Sequence, residues 1–175
     1  MKITTKDVTI TGIMLTICIV SQLFKNISVY ITGPIVNTCL IITAIYCSIV
    51  CGIALSIIIP ITSFFISGSP ILAAIPAIVP GIMIGNIVIV VGVYLFTKKN
   101  KSNKNVVLGM LVGTVAKAVV MGVVISLIIV PMFIPPKMTA KKEMLQMMYS
   151  VTQLIVAAIG SVYAFIINTQ LKKVM

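Results

Sequence analysis

The stretch Val106–Val130, VVLGMLVGTVAKAVVMGVVISLIIV, decides the class of this protein. A bilayer hydrocarbon core of about 30 Å is crossed by roughly 20 mostly apolar residues in helical form. This stretch is long enough, and its one charge is Lys117. It reads as a transmembrane helix with an ammonium group near its middle, and that lysine needs an explanation.

The rest of the chain is of the same kind. Of 175 residues, 60% are hydrophobic and 9% charged, with no Trp and no His, a balance that no soluble domain of this size needs for its core. The apolar runs predict an all-α integral membrane protein, a single domain over residues 1–175 with six transmembrane helices at about 8–24, 35–50, 52–66, 77–96, 106–130 and 143–171. Gly33-Pro34 is a turn signal ahead of the second helix, Cys51-Gly52 marks a tight turn between the second and third, and Pro60 marks a kink that a packed bundle tolerates. Ser67–Pro76 is too rich in Pro and Gly for a regular helix yet apolar, which predicts a loop folded back into the protein. Thr97–Asn105 is a basic linker, and Pro131–Lys142 forms another Pro-rich loop.

Lysine supplies all 13 basic residues, against two acids, Asp7 and Glu143, for a net charge of +11. In a soluble protein that balance points to nucleic acid. Here the lysines sit mostly at segment ends, where they orient the chain and touch anionic lipid. Lys2, Lys6, Lys98, Lys99, Lys101, Lys104, Lys172 and Lys173 fall on one side of a six-crossing topology, and Lys25, Lys137, Lys141 and Lys142 on the other. The positive-inside rule places both termini in the cytoplasm. Lys2 and Lys6 before an apolar run resemble a secretory signal, but Ser21–Asn26 offers no small-residue cleavage site, so the segment reads as a retained first helix.

The chemistry of the polar residues narrows the function. Cys18, Cys39, Cys47 and Cys51 form no Cys-x-x-Cys pair and have no His beside them, so they read as small hydrophobes and not as metal ligands. There is no intramembrane carboxylate, no nucleophile with a base and no Gly-rich phosphate loop, which argues against catalysis, an ATPase and an ion-driven carrier.

An isolated lysine at the centre of a spanning helix costs about 2.5–3.5 kcal/mol. At a rise of about 1.5 Å per residue, Lys117 lies roughly 18 Å from the cytoplasmic end of its helix and Asn86 about 16 Å from the cytoplasmic end of the fourth, so they share a depth. Gly109 and Gly113 lie on the Lys117 side of one helix, and Gly81, Gly85 and Gly92 form a stripe on the other, small-residue faces that let helices approach closely. Gln146, Tyr149 and Gln153 top a further small-residue seam in the sixth helix, and Asn37 sits near the outer surface at the entrance of the second. Asn and Gln in membranes also serve as plain interhelical hydrogen bonds. With no acid at its depth, Lys117 reads as a ligand-binding residue, and the Pro- and Gly-rich, partly apolar outer loops point to a pocket that opens outward.

Taken together, Ile31–Asn37, Ile84-Gly-Asn86, Ala116-Lys117, Pro135-Pro-Lys137 and Gln153, in this order and over nearly the whole chain, resemble the substrate-binding S component of energy-coupling factor (ECF) transporters. The resemblance implies a six-helix membrane subunit of bacteria or archaea, with no enzymatic activity and no cofactor. Such a subunit captures a vitamin or vitamin precursor from outside, in an outward-facing pocket among helices four to six, and works with a transmembrane coupling protein and two cytoplasmic ATPases. Lys117, Asn86, Gln153, Tyr149, Asn37 and Gln146 are then the substrate-binding candidates, and an acid-bearing substrate of the pantothenate kind fits the lysine. The family's small-x-x-x-small contact with the coupling protein, typically Ala-x-x-x-Ala in the first helix, is replaced here by Gly12 and Thr16. The alternative is a structural or regulatory membrane subunit whose Lys117 pairs with an acid on a partner protein.

Overall fold

The computed structural model describes residues 3–25 and 27–174. Lys2 and Asn26, which enter the expectations above, lie outside them. Among the described residues the chain is helical with no strand. Helix α1 spans Thr5–Gln22, α2 Val29–Tyr46, α3 Ile49–Ser67, α4 Pro70–Ala74 and α5 Ile78–Thr97. Helix α6 spans Asn103–Met121 and runs on as a π-helix, Gly122–Ile129, into α7, Val130–Phe133. A 3-10 segment, Pro136–Lys141, leads to α8, Lys142–Met148, and α9, Val151–Val174.

Five stretches are long and apolar enough to cross a membrane: Val29–Tyr46, Ile49–Ser67, Ile78–Thr97, Asn103–Phe133 and Pro136–Lys173. Six were expected, and α1 is not among the five. Its first turns are polar and are held by a reciprocal cap, in which Asp7 N donates to Thr4 Oγ1 at 3.2 Å and Thr4 N donates to Asp7 Oδ2 at 3.0 Å.

Three boundaries differ from the expected ones, each for a physical reason. Helix α2 begins at Val29 and carries Gly33-Pro34 inside it, so these residues make no turn. Gly33 is needed for contact, because a Cβ there would lie 2.9 Å from Val156 Cβ on α9. The turn between α2 and α3 falls at Cys47-Ser48, where Ser48 Oγ accepts from Cys51 N. Gly52 lies inside α3, its missing Cβ replaced by the Val90 side chain at 2.6 Å. The last predicted helix is broken at Tyr149-Ser150, between α8 and α9.

Helix α2 is the centre of the bundle, packed against α1, α3, α5 and α9. Helices α5 and α6 share the most extensive contact, and its closeness depends on glycine. A Cβ on Gly92 would lie 2.8 Å from Gly113 Cα, so the two backbones nearly touch. The segment after α3 folds inward, with Leu72 and Ile75 buried, but it does so as the short helix α4 and not as the loop expected, because Pro70 sits in the first turn, where a missing N–H costs nothing.

The apolar interior is divided. One cluster, built on Leu40, Ile41, Leu55, Ile89, Val93 and Met110, fills the half of the bundle near the basic linker. The other, with Leu72, Ile78, Met121, Ile125, Leu145 and Tyr149, fills the half under α4 and α8. Along α6, Lys117 falls between Met110 of the first cluster and Met121 of the second; along α5, Asn86 falls between Ile78 and Ile89. A polar layer therefore crosses the molecule between two greasy halves. Outside, Val107, Leu111, Val115, Val119, Val123 and Leu127 recur every four residues and are exposed, the stripe that a lipid-facing helix presents.

Candidate substrate-binding site

Lys117 is 2% exposed, and its Nζ donates to Asn37 Oδ1 at 2.6 Å and to Asn86 Oδ1 at 2.8 Å. Helices α2, α5 and α6 each supply one member of this triad. Asn37 is locked in turn, its Nδ2 donating to Gly33 O at 2.9 Å. It lies deeper than expected, because α2 starts at Val29 and places Asn37 more than two turns into the helix. An ammonium has three donors; two are used here, both on neutral oxygens.

The triad forms one wall of a cavity of about 110 Å³. That volume admits a few waters and is smaller than the roughly 300–1,000 Å³ of sites that enclose small molecules. Tyr149, 5% exposed, lines it from the break between α8 and α9, and Gln153 lines it from the following turn of α9. Five of the six expected residues, Lys117, Asn86, Asn37, Tyr149 and Gln153, thus meet at one cavity.

Gln146 is the exception. Its Nε2 donates to Ser126 O at 2.8 Å, and Ser126 Oγ donates back to Gln146 O at 2.8 Å. The cause lies in the π-helix, whose bonding pattern links each N–H to the carbonyl five residues back, as Val130 N does to Ile125 O. The next donor in that pattern is Pro131, which has no N–H. Ser126 O is left without a backbone partner, and Gln146 takes its place.

The cavity was expected among the last three long helices, but it also takes Gln22 from the end of α1, Lys25 from the loop after it, Thr32 and Asn37 from α2, and Ser63 from α3. The central position of α2 brings these elements in. Lys25 Nζ donates to Ser63 Oγ at 2.6 Å, and burial pushes its ammonium pKa down to about 8. Gln22 is 1% exposed and donates through Nε2 to Ile59 O at 3.1 Å and to Thr62 Oγ1 at 3.2 Å. Sequence reasoning missed these residues because Lys25 was grouped with the loop lysines. The available signal was Gln22, an amide at the end of an otherwise apolar run.

Gly12 and Thr16 sit on the open side of α1. Both are exposed, and no atom lies within 4 Å of the position a Cβ on Gly12 would take. Among the described residues no group of His, Cys, Asp or Glu is placed to hold a metal ion, and the four cysteines are free and buried.

The family described as ECF transporter, substrate-specific component, matches residues 6–170 of the chain. Searches of curated proteins and of solved structures give no match.

Proposed function

Because the chain belongs to the family of ECF transporter substrate-specific components, a transporter family and not an enzyme family, we propose that it captures an anionic small molecule outside the cell. The molecule is a vitamin or vitamin precursor, and the chain delivers it with a transmembrane coupling protein and two cytoplasmic ATPases in a bacterial or archaeal cell membrane. One observation carries this reading: the Lys117 ammonium is enclosed at the cavity wall by two amide oxygens, and among the described residues no carboxylate lines that cavity. A buried charge without a counter-charge is costly, and a bound carboxylate supplies the counter-charge. Asn37 and Asn86 orient the ammonium, while Gln153 and Tyr149 close over the molecule. In this reading α1, packed on α2 and α3, is the sixth crossing, both termini are cytoplasmic, and the face bearing Gly12 and Thr16 is left for the coupling protein.

The alternative, in which Lys117 pairs with an acid on a partner protein, is disfavoured because the side chain is 2% exposed within its own bundle. Native mass spectrometry of the detergent-purified protein distinguishes the two. Capture predicts a retained small molecule bearing an acidic group. An empty protein that becomes stable only with a partner chain contradicts it.

A further inference from the structure

The cavity holds a second cation, and its surroundings specify the molecule further; this step rests on the capture reading above. Lys25 and Lys117 both line the cavity, and none of the described residues that line it is acidic. Among the described residues, Lys25 uses one of its three N–H donors, on Ser63 Oγ, and Lys117 uses two, on Asn37 and Asn86. Donors therefore remain on both ammonium groups. Gln22, 1% exposed and also among the lining residues, is held on α3 through Ile59 and Thr62, and its Oε1 has no hydrogen-bond partner among the described residues. A buried acceptor of this kind is costly unless something donates to it.

The two lysines sit at different levels. Ser63 lies about 6 Å from the end of α3 at Ser67, and Asn86 about 12 Å from the start of α5 at Ile78, by the helical rise. Those two helix ends are joined through α4, so the Lys25 pair lies about 6 Å nearer that end of the bundle than Asn86. Other wall residues, Val36, Ile59, Ile82 and Met121, are apolar.

We propose that the cavity takes a dianion: a molecule with an inner acidic group on Lys117, an outer one on Lys25 and Ser63, an aliphatic spacer between them, and a donor group for Gln22 Oε1. Two ammonium groups and no acid are neutralised by two negative charges, and desolvated charge-assisted bonds are about twice as strong as neutral ones. A monoacid of the pantothenate kind leaves the Lys25 ammonium unpaired.

The test is calorimetric titration of the detergent-purified protein, freed of retained molecules, with α,ω-dicarboxylates from succinate to suberate and with their half methyl esters, which have one charge less at nearly equal length. The best diacid should bind at least tenfold more tightly than its half ester. Lys25→Gln, which keeps a polar group for Ser63 and removes the buried charge, should erase that difference in a protein whose melting temperature is no lower than that of the wild type. Lys25→Met serves as the second variant, with the same expectation. Lys117→Met should weaken diacid and half ester alike. Equal binding of diacid and half ester, or no binding of any diacid, overturns the dianion proposal. In that event, Lys117-dependent retention of a molecule in native mass spectrometry leaves capture standing, whereas its loss removes the capture reading as well.

Discussion

At Lys117 an ammonium is buried against two carboxamide oxygens, a geometry that orients the charge without cancelling it. Removing one acceptor should hurt the empty protein more than removing the charge and the acceptor together. Asn86→Leu is expected to lower stability by about 1.5–3 kcal/mol, the scale of a hydrogen bond to a charged group, and by clearly less when Lys117 is already Met. A double-mutant cycle of chemical or thermal unfolding measures this coupling, and strict additivity would show that the contact carries no such energy.

Lys25 gives a second residue-level expectation, with a definite sign. Its free-state pKa is lowered by burial from 10.5 to about 8, so its charge is present below that value and lost above it. Affinity for an anion held by Lys25 should be flat below about pH 8 and then fall by up to about tenfold per pH unit. The other titratable groups on the cavity wall are Lys117 and Tyr149, so the control is Lys25→Met, in which this limb of the profile should vanish. Stability of the empty protein moves the other way between pH 8 and 10.5, rising with pH, because the unfolded chain holds the proton that the folded one has released.

Among the elements, the π-helix Gly122–Ile129 and the α5–α6 contact are the most exacting. Gln146→Leu strands the Ser126 carbonyl beside Pro131, a loss of about 1–3 kcal/mol that should appear as a lower melting temperature with ligand affinity little changed. Gly92→Ala places a methyl 2.8 Å from Gly113 Cα, and neither backbone can yield. It should cost the folded state, seen as aggregation in size-exclusion chromatography, while Gly12→Ala on the open face of α1 should be silent in the same assay. These elements also mark where sequence reading succeeds. A long apolar run with glycines at helical spacing was legible as a packed membrane helix, and the shared depth of Asn86 and Lys117 follows from counting residues. Gly33-Pro34 was misread because glycine serves close packing as readily as turning, and only the opposing Val156 shows which. Gln146 lies off the cavity because its amide is taken by a carbonyl that a proline on another helix frees, a pairing that residue spacing does not reveal. Gln22 and Lys25 were missed because their relevance depends on α2 lying at the centre of the bundle.

The whole molecule is two apolar clusters with a polar layer between them, wrapped in an exposed apolar stripe and ending in a basic cap. In that cap Lys101 lies over the Tyr46 ring at 5.2 Å, Tyr46 Oη donates to Asn168 Oδ1 at 2.9 Å, and Lys172 donates to Asn103 Oδ1 at 2.8 Å. Lysine enrichment at this end predicts a cytoplasmic location. A cysteine at Ser102 should therefore resist a membrane-impermeant maleimide in intact cells and react after lysis, with the four buried native cysteines as silent background. Labelling in intact cells would invert the topology and point the cavity inward.

The cavity measures about 110 Å³, so the proposed capture requires it to widen around the molecule. The central claim, however, is chemical: the counter-charge of Lys117 is the captured molecule. The most direct measurement is the affinity of the molecule retained by the purified protein for wild-type, Lys117→Met and Asn86→Leu proteins, each shown to be folded. The account predicts that Lys117→Met loses at least tenfold more affinity than Asn86→Leu; equal losses, or none for Lys117→Met, would contradict it.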